Sequence, residues 1–334
     1  MAAVIQPNRR KPLLPAGRVM LSSAPVGRSG KTLLKKAVEN FRRTRGVQLL
    51  LGLRHEILYR QFLGSAASKG QAFARSLSEK PERNYCFTIA FNTPWVIDVL
   101  TKAWQVFPTG TRLVVIDNSP NQEARASIEA ICARRGVAYF GLPRNFETNP
   151  SRSHGVSQTW VFHNIVKHLN PDMFGFIDHD CFPVGPIDFP RRIGGKIGYG
   201  AALHARSSYL YKAAENEPGW YYWAGLCFYN FATVERTKLD FRNRLDIGMD
   251  TGGGNWPVLY SKHPIGEFEM AQVNRVAVGV EGTIADYQLY DEALFHVGGA
   301  SYRSGAISPD YRRLLSDHIW KTYLGGIQDR LISI

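Results

Sequence analysis

The sequence predicts an α/β protein: a mostly parallel sheet flanked by helices, preceded by a basic helical N-terminal extension. Three observations carry that prediction. Between residues 85 and 188, short apolar runs of strand composition alternate with amphipathic stretches of helical length, the pattern of right-handed βαβ units. Two of the apolar runs stop at acids, in Asp117-Asn118-Ser119-Pro120 and in Asp178-His179-Asp180, and the carboxyl ends of strands are where open α/β sheets hold ligands. The charge is also unevenly spread: residues 1–84 supply the whole net charge of +13, with 17 Lys and Arg against 4 Asp and Glu.

Taken in order, residues 1–20 have the Pro-, Arg- and Lys-rich composition of a disordered segment. Gly27-Arg28-Ser29-Gly30-Lys31-Thr32 invites comparison with a phosphate-binding loop, but the first glycine of that pattern falls on Pro25. Proline lacks the N–H and the freedom of φ that such a cradle uses, so a helix start with a Ser or Thr cap is the competing reading. Over 31–62, Leu34, Val38 and Phe41, and then Leu50, Leu53, Ile57 and Leu58, recur at helical spacing among many Lys and Arg. Such helices either pack as solvated elements on the main domain or dock on an anionic membrane surface or an acidic partner. Residues 65–83 read as a polar linker.

The first strand is expected over 85–91, followed by a turn at Asn92-Thr93-Pro94 and a helix to about 107. A second strand covers 113–116, a helix 123–135 and a third strand 137–140. A polar loop is expected over 145–155 and a helix over 157–168. The fourth strand, Phe174-Gly175-Phe176-Ile177, closes on Asp178. Beyond residue 188 Gly, Tyr and Trp become dense, with short strands expected at 197–203 and 225–229. Gly194-Gly195 and Gly252-Gly253-Gly254 mark loops able to approach a ligand.

Composition removes several classes of function. Residues 85–334 carry 24 basic and 24 acidic side chains, which argues against nucleic-acid binding by the main domain. No stretch reaches 18 apolar residues, so no membrane-spanning helix is expected, and the N-terminus lacks the apolar core of a secretory signal. Cys86, Cys132, Cys181 and Cys227 are widely spaced, which suits reduced thiols in a cytoplasmic protein better than a zinc site. A protein of this kind is expected in the cytoplasm, with the basic segment able to hold it to the membrane face.

An Asp-x-Asp pair arises by chance about 0.6 times in 334 residues with 14 Asp, so Asp178-His179-Asp180 is singled out by its place after a strand. Two acids there can hold a hard divalent cation, which in turn neutralises a diphosphate. Around it stand Val114-Val115-Ile116-Asp117-Asn118-Ser119, Arg144-Asn145, Gly225-Leu226-Cys227-Phe228, Asp250 and Phe295-His296-Val297-Gly298-Gly299-Ala300-Ser301. In that order, over about 85–303, the chain resembles a GT-A fold glycosyltransferase and is most similar to inverting family 2 enzymes of the rhamnosyltransferase kind.

The resemblance implies three regions: a basic extension over 1–84, a nucleotide-sugar-binding half over 85–188 and an acceptor-binding half with C-terminal helices over 189–334. It implies Mn²⁺ or Mg²⁺ held by Asp178, Asp180 and His296, with Asp180 the principal ligand. Asp117, Asn118, Asn145 and Asp178 would contact the nucleotide, although Asp117 also suits an Asx-turn in Asp-Asn-Ser-Pro. Arg303 would pair with phosphate or lie free at the surface. Asp250 is the candidate general base and Asp246 the second. The Glu-Asp pair usual in such enzymes is absent, because Met249 precedes Asp250. Trp223 and Tyr222, from the cluster Trp220-Tyr221-Tyr222-Trp223, would border the acceptor.

The donor would be a UDP-, GDP- or dTDP-sugar and the acceptor a glycan or glycolipid, as in surface polysaccharide synthesis. Two rivals remain on the sequence: a nucleotidyltransferase on a similar sheet, and a non-enzymatic module whose basic arm binds membrane or nucleic acid. The first calls for a Gly-rich phosphate loop after the opening strand, where Asn92-Thr93-Pro94-Trp95 stands instead.

Overall fold

The computed structural model describes residues 45–207, 212, 219–280, 283–298, 300 and 309–333. The loop-like stretch at Gly27, the expected helix before residue 45, and Gly299, Ser301 and Arg303 lie outside the described residues. The chain divides into two compact units, 1–55 and 56–334, and the second carries the sheets.

The large sheet has seven strands in the order β3-β2-β1-β4-β7-β6-β8. Its parallel half comprises β1 (Asn84–Ala90), β2 (Arg112–Asp117), β3 (Ala138–Gly141) and β4 (Met173–Asp178). Helices α3 (Pro94–Val106), α4 (Gln122–Arg135) and α5 (Pro150–Val161) join these strands, after α1 (Arg45–Gly64) and α2 (Ala67–Ser78). Asn121 caps α4 by accepting from the Ala124 N–H at 3.0 Å, and Gly136 closes it in the left-handed conformation that glycine adopts without a Cβ clash.

After β4 the chain turns through His179 and Asp180 into β5 (Cys181–Pro183), which leaves the large sheet. Helix α6 (Phe189–Ile193) then leads to β6 (Gly198–His204), β7 (Trp220–Asn230), α7 (Phe231–Val234) and β8 (Phe268–Met270). Strand β7 runs antiparallel to both β4 and β6. A second sheet, ordered β5-β11-β10-β9, adds β9 (Val273–Val280), β10 (Thr283–Tyr290) and β11 (Leu294–His296), with α8 (Pro309–Tyr323) following. The expected mostly parallel sheet flanked by helices is therefore the observed architecture.

Period-two alternation divides the core. Phe174 and Phe176 of β4 face a layer with Trp160, Phe162, Tyr229 and Phe241, whereas Met173 and Ile177 face Leu100, Ile128 and Trp320. Because both faces are covered, β4 is apolar throughout rather than alternating.

Three boundaries differ from expectation. The polar linker over 65–83 is instead largely α2, whose Ala74 and Leu77 are buried in the first core layer. Polar residues outnumber apolar ones there, but a single narrow stripe suffices to dock a short helix. Helix α5 begins at Pro150, not 157, because Asn149 accepts from the Arg152 N–H at 3.1 Å and Pro150 takes the first turn, where no N–H is needed. Strand β7 begins at Trp220 and so absorbs the aromatic cluster. On α1, Tyr59 and Phe62 are buried, while Ile57 is exposed.

Candidate active site

The sheet geometry assembles the site at the end of β4. Asp178 is the last residue of β4, and the two-residue turn brings Asp180 to the start of β5. Strand β11 pairs antiparallel with β5 so that His296 lies opposite Cys181. His296 Nε2 thereby comes within 3.6 Å of Asp180 Oδ1, and the Ala300 N–H donates to Asp180 Oδ2 at 2.9 Å. One ligand atom from each of Asp178, Asp180 and His296 lies within 4.8 Å of the others.

The electrostatics suit a cation. Burial, and then the neighbouring Asp180 charge, push the Asp178 carboxyl up to about 6. Burial would raise Asp180 as well, but contact with His296, the charges of His296 and His179, and the Ala300 N–H outweigh it and hold that carboxyl well below the usual range. His296 is shifted upward: burial opposes its charging, and the Asp180 and Asp178 carboxylates overcome that opposition. A proton on Nε2, or a divalent ion in the same place, answers both carboxylates.

The donor set fits such an ion. Gln288 Oε1 lies 2.9 Å from His296 Nδ1 and also accepts from the Tyr290 hydroxyl at 3.0 Å. With Gln288 assigned as the acceptor, His296 carries its proton on Nδ1 and turns Nε2 toward the carboxylates, the usual outer-shell arrangement of a metal-binding histidine. Two carboxylates with one imidazole favour Mn²⁺ over Mg²⁺.

A cavity of about 200 Å³ opens beside these residues, lined among others by Phe91, His154, His179, Trp223, Asp250 and Thr251. Asn118 and Phe91 also line a second cavity of about 600 Å³ with Gln122, Arg125, Arg144 and Glu147, so the two spaces adjoin. Asn118 donates to Ser153 Oγ at 2.8 Å. Asn145, in the larger cavity, ties its loop to α5 by donating to Ser153 Oγ (3.1 Å) and Ser157 Oγ (3.2 Å).

Asp250 stands on the wall contributed by the loop after β7 and α7. Its N–H donates to the Tyr221 hydroxyl at 2.9 Å, and its Oδ1 accepts from the Thr251 N–H at 2.8 Å. Gly252, at φ +99°, turns the chain immediately afterwards. Trp223 lines the same cavity, its ring 4.7 Å from His296 and stacked 6.1 Å from Tyr290.

Three expected residues line neither cavity and lie outside the metal set. Asp117 is fully buried; Oδ1 accepts the Ser119 N–H at 2.7 Å, in an Asx-turn, and Oδ2 accepts the Tyr139 hydroxyl at 3.0 Å. Its carboxylate is satisfied by the chain itself and is not placed to meet a nucleotide. Tyr222 is fully buried on the opposite face of β7 from Trp223, since neighbours on a strand point apart, and its hydroxyl donates to the Glu269 carbonyl at 2.7 Å. Asp246 is held in a bidentate pair by Arg244, at 2.8 and 2.7 Å, outside the cavity lining.

One cavity residue had no sequence signal of its own. His154 Nε2 lies 3.3 Å from Asp178 Oδ1, and burial pulls the imidazole down to about 4, leaving it neutral at pH 7. It belongs to the first turns of α5, which the expected loop over 145–155 concealed. The Asn149-Pro150 pair was the available sign of that helix start. Gly155 lets α5 approach the following segment: a Cβ there would lie 2.4 Å from the Phe241 carbonyl oxygen.

Comparison with known proteins gives three results. No family model matches the chain, and no curated protein does. Among solved structures it is similar to galactosyltransferase LgtC bound to donor and acceptor sugar analogs, at 16% identity and a TM-score of 0.32, covering 46% of this chain and 59% of that one. It is also similar to a mannosyltransferase from Pyrobaculum calidifontis in complex with GDP-Man and Mn²⁺ (12% identity, TM-score 0.33, 60% and 62% covered). A third is S. aureus TarS (12% identity, TM-score 0.30, 48% and 30% covered). The chain thus spans less than two thirds of each of these proteins, and the functional reading rests on the site itself.

Proposed function

We propose that the protein is a metal-dependent glycosyltransferase that moves a sugar from a nucleotide-sugar donor to a hydroxyl acceptor with inversion. The observation that carries this reading is the buried set Asp178, Asp180 and His296 at a strand end, beside a cavity that adjoins a larger, nucleotide-sized one. The base and ribose would occupy the larger cavity near Arg125 and Arg144, and the diphosphate would reach past Phe91 and Asn118. When bound, Mn²⁺ or Mg²⁺ supplies charge stabilisation to the departing diphosphate.

The chain's own groups account for the rest. Trp223 offers an aromatic face to a sugar ring, and its packing on His296 and Tyr290 fixes that face. Asp250 has Oδ1 engaged by Thr251 while Oδ2 accepts no hydrogen bond from the described residues, so it can take the proton of an acceptor hydroxyl as that oxygen attacks the anomeric carbon. His154, neutral and buried, lies beside Asp178 on the same cavity wall. A nucleotidyltransferase is disfavoured because the segment after β1 enters α3 directly at Pro94, without a Gly-rich phosphate loop.

The acceptor would be a glycan or glycolipid, and the basic residues of 1–84 would hold the protein to an anionic membrane face in the cytoplasm. No helix of the described residues is long and apolar enough to cross a membrane. The test is a panel of UDP-, GDP- and dTDP-sugars, screened for Mn²⁺-dependent binding and slow donor hydrolysis. Binding of one class by the wild type, lost in Asp180→Asn, is the expected result; a variant that binds the same donor unchanged sinks the reading. Deletion of residues 1–44, which leaves the core residues of α1 and α2 in place, is expected to reduce association with anionic liposomes and leave hydrolysis intact.

A further inference from the structure

Helix α1 reaches the back of the wall that carries Asp250. Glu56 Oε2 accepts from Arg242 Nη1 at 3.1 Å, and the Arg242 guanidinium lies 3.6 Å over the Tyr59 ring. Asp240 takes the other side of the same guanidinium, accepting from Nε at 3.0 Å on Oδ1 and from Nη2 at 2.7 Å on Oδ2. All three guanidinium nitrogens and one face of the group are therefore engaged. Glu56, Tyr59 and Arg242 do not line the cavity beside the metal set. The segment 240–244 in turn frames the Asp250 loop. Met249 exchanges both backbone hydrogen bonds with Arg244, at 2.8 and 3.0 Å. The Gly252 N–H donates to the Phe241 carbonyl at 2.8 Å, and the Gly254 N–H to the Arg242 carbonyl at 2.9 Å, so Asp250 lies between these ties. The approach is close: a Cβ at Gly254 would fall 2.3 Å from the Asp240 carbonyl oxygen.

We infer that Arg242 is a positioning residue for Asp250, locked by Glu56 and Tyr59 of α1, an inference that rests on the function proposed above. A general base must stand within hydrogen-bond reach of the attacking oxygen, and a misplacement of about 1 Å can cost roughly a hundredfold in rate. Gly252-Gly253-Gly254 gives the loop wide conformational freedom, so its geometry is imposed by the segment it pairs with. Arg242 fixes that segment, because its fork closes the turn onto Asp240 and ties it to α1. The ion pair is partly exposed, with 25% of the Arg242 side chain and 38% of the Glu56 side chain accessible. Pairs of that kind add little to global stability, so the effect of this one falls on the loop it abuts. The basic extension thus supplies part of the frame of the candidate active site.

Two substitutions test the lock. Arg242→Lys keeps the charge but loses the planar fork that serves Asp240 and Glu56 together, whereas Glu56→Gln keeps an acceptor and removes the charge. Both are compared with wild type by melting temperature and by hydrogen exchange over residues 245–256. Calorimetric titration follows, with Mn²⁺ alone and then with UDP-glucose, GDP-mannose and dTDP-glucose in its presence. Slow hydrolysis of the donor that binds is also measured, since water then takes the acceptor's place and Asp250 receives its proton. The expected result is unchanged Mn²⁺ and donor affinity, a melting temperature within about 3 °C of wild type, and faster exchange confined to 245–256. Hydrolysis is expected to slow about tenfold in Arg242→Lys and about two- to threefold in Glu56→Gln. Unchanged exchange in both variants overturns the inference, as does faster exchange with hydrolysis unaltered; either result leaves the proposed function standing. Exchange raised across the whole chain also overturns it, by showing that Arg242 holds the fold and not the loop. Failure of the wild type to bind any donor overturns the proposed function with it.

Discussion

The ends of β2 and β4 begin alike and finish differently. Each is the last turn of an apolar parallel strand, each closes on an aspartate, and β1 lies between them in the sheet. At β2 the chain folds back through Asn118 and Ser119, and Asp117 is consumed by the Ser119 N–H and the Tyr139 hydroxyl. At β4 the chain passes into β5 and a second sheet, and Asp178 and Asp180 meet a histidine and a cavity rather than local donors. A strand-end carboxylate is therefore available to a ligand only where the following segment diverges instead of turning back to satisfy it.

The sharpest test of this contrast is Asp180→Asn, which is expected to lower Mn²⁺-dependent donor binding by about a hundredfold or more, read by calorimetry, because a charged ligand to a divalent ion is removed. If affinity survives, the β4 end is no more a ligand site than the β2 end. Next in size, Asp250→Asn is expected to slow transfer by roughly a hundredfold with donor affinity unchanged, in keeping with loss of a general base. Weakened donor binding in that variant would move Asp250 from the acceptor side to the donor side.

The pH dependence follows from Asp178. Its carboxyl is raised to about 6 when no metal is bound, and a metal ligand must be deprotonated, so Mn²⁺ affinity is expected to fall about tenfold per pH unit below 6. The sign for stability is opposite: a raised carboxyl favours the metal-free fold at low pH and withdraws that support as pH rises through 6. The Mn²⁺-induced rise in melting temperature should accordingly grow between pH 5 and 7; a constant shift would remove Asp178 from the metal set. The smallest effect belongs to the β2 end. Asp117→Asn is expected to cost about 1–3 kcal/mol of stability, from a buried acceptor network left imperfect, with donor affinity within twofold of wild type. A large loss of donor affinity at unchanged stability would show the two strand ends to be equivalent after all.

Much of this was legible in the chain itself. Strands and helices over 84–178 followed from alternating apolar runs, because local periodicity is set by the backbone and needs no partner. The acids after β4 stood out for the same reason. The absence of a Gly-rich loop after β1 was equally plain, since Pro94 allows only a helix start there.

What tertiary structure decided were the partnerships. The Asx-turn at Asp117 was legible locally, but only the pairing of β5 with β11 carries His296 to Asp180 and completes the set at Asp178. Trp223 and Tyr222 are adjacent in sequence and were expected together, yet the face of β7 on which each falls was fixed by its register with β4 and β6. His154 entered the site only because Asn149 and Pro150 start α5 early and Gly155 lets it approach the Phe241 backbone. The sequence by itself determined where strands end and which of them end in acid. Which acid faces a ligand depended on what chain segments distant in sequence bring against it, and that is a property of packing alone.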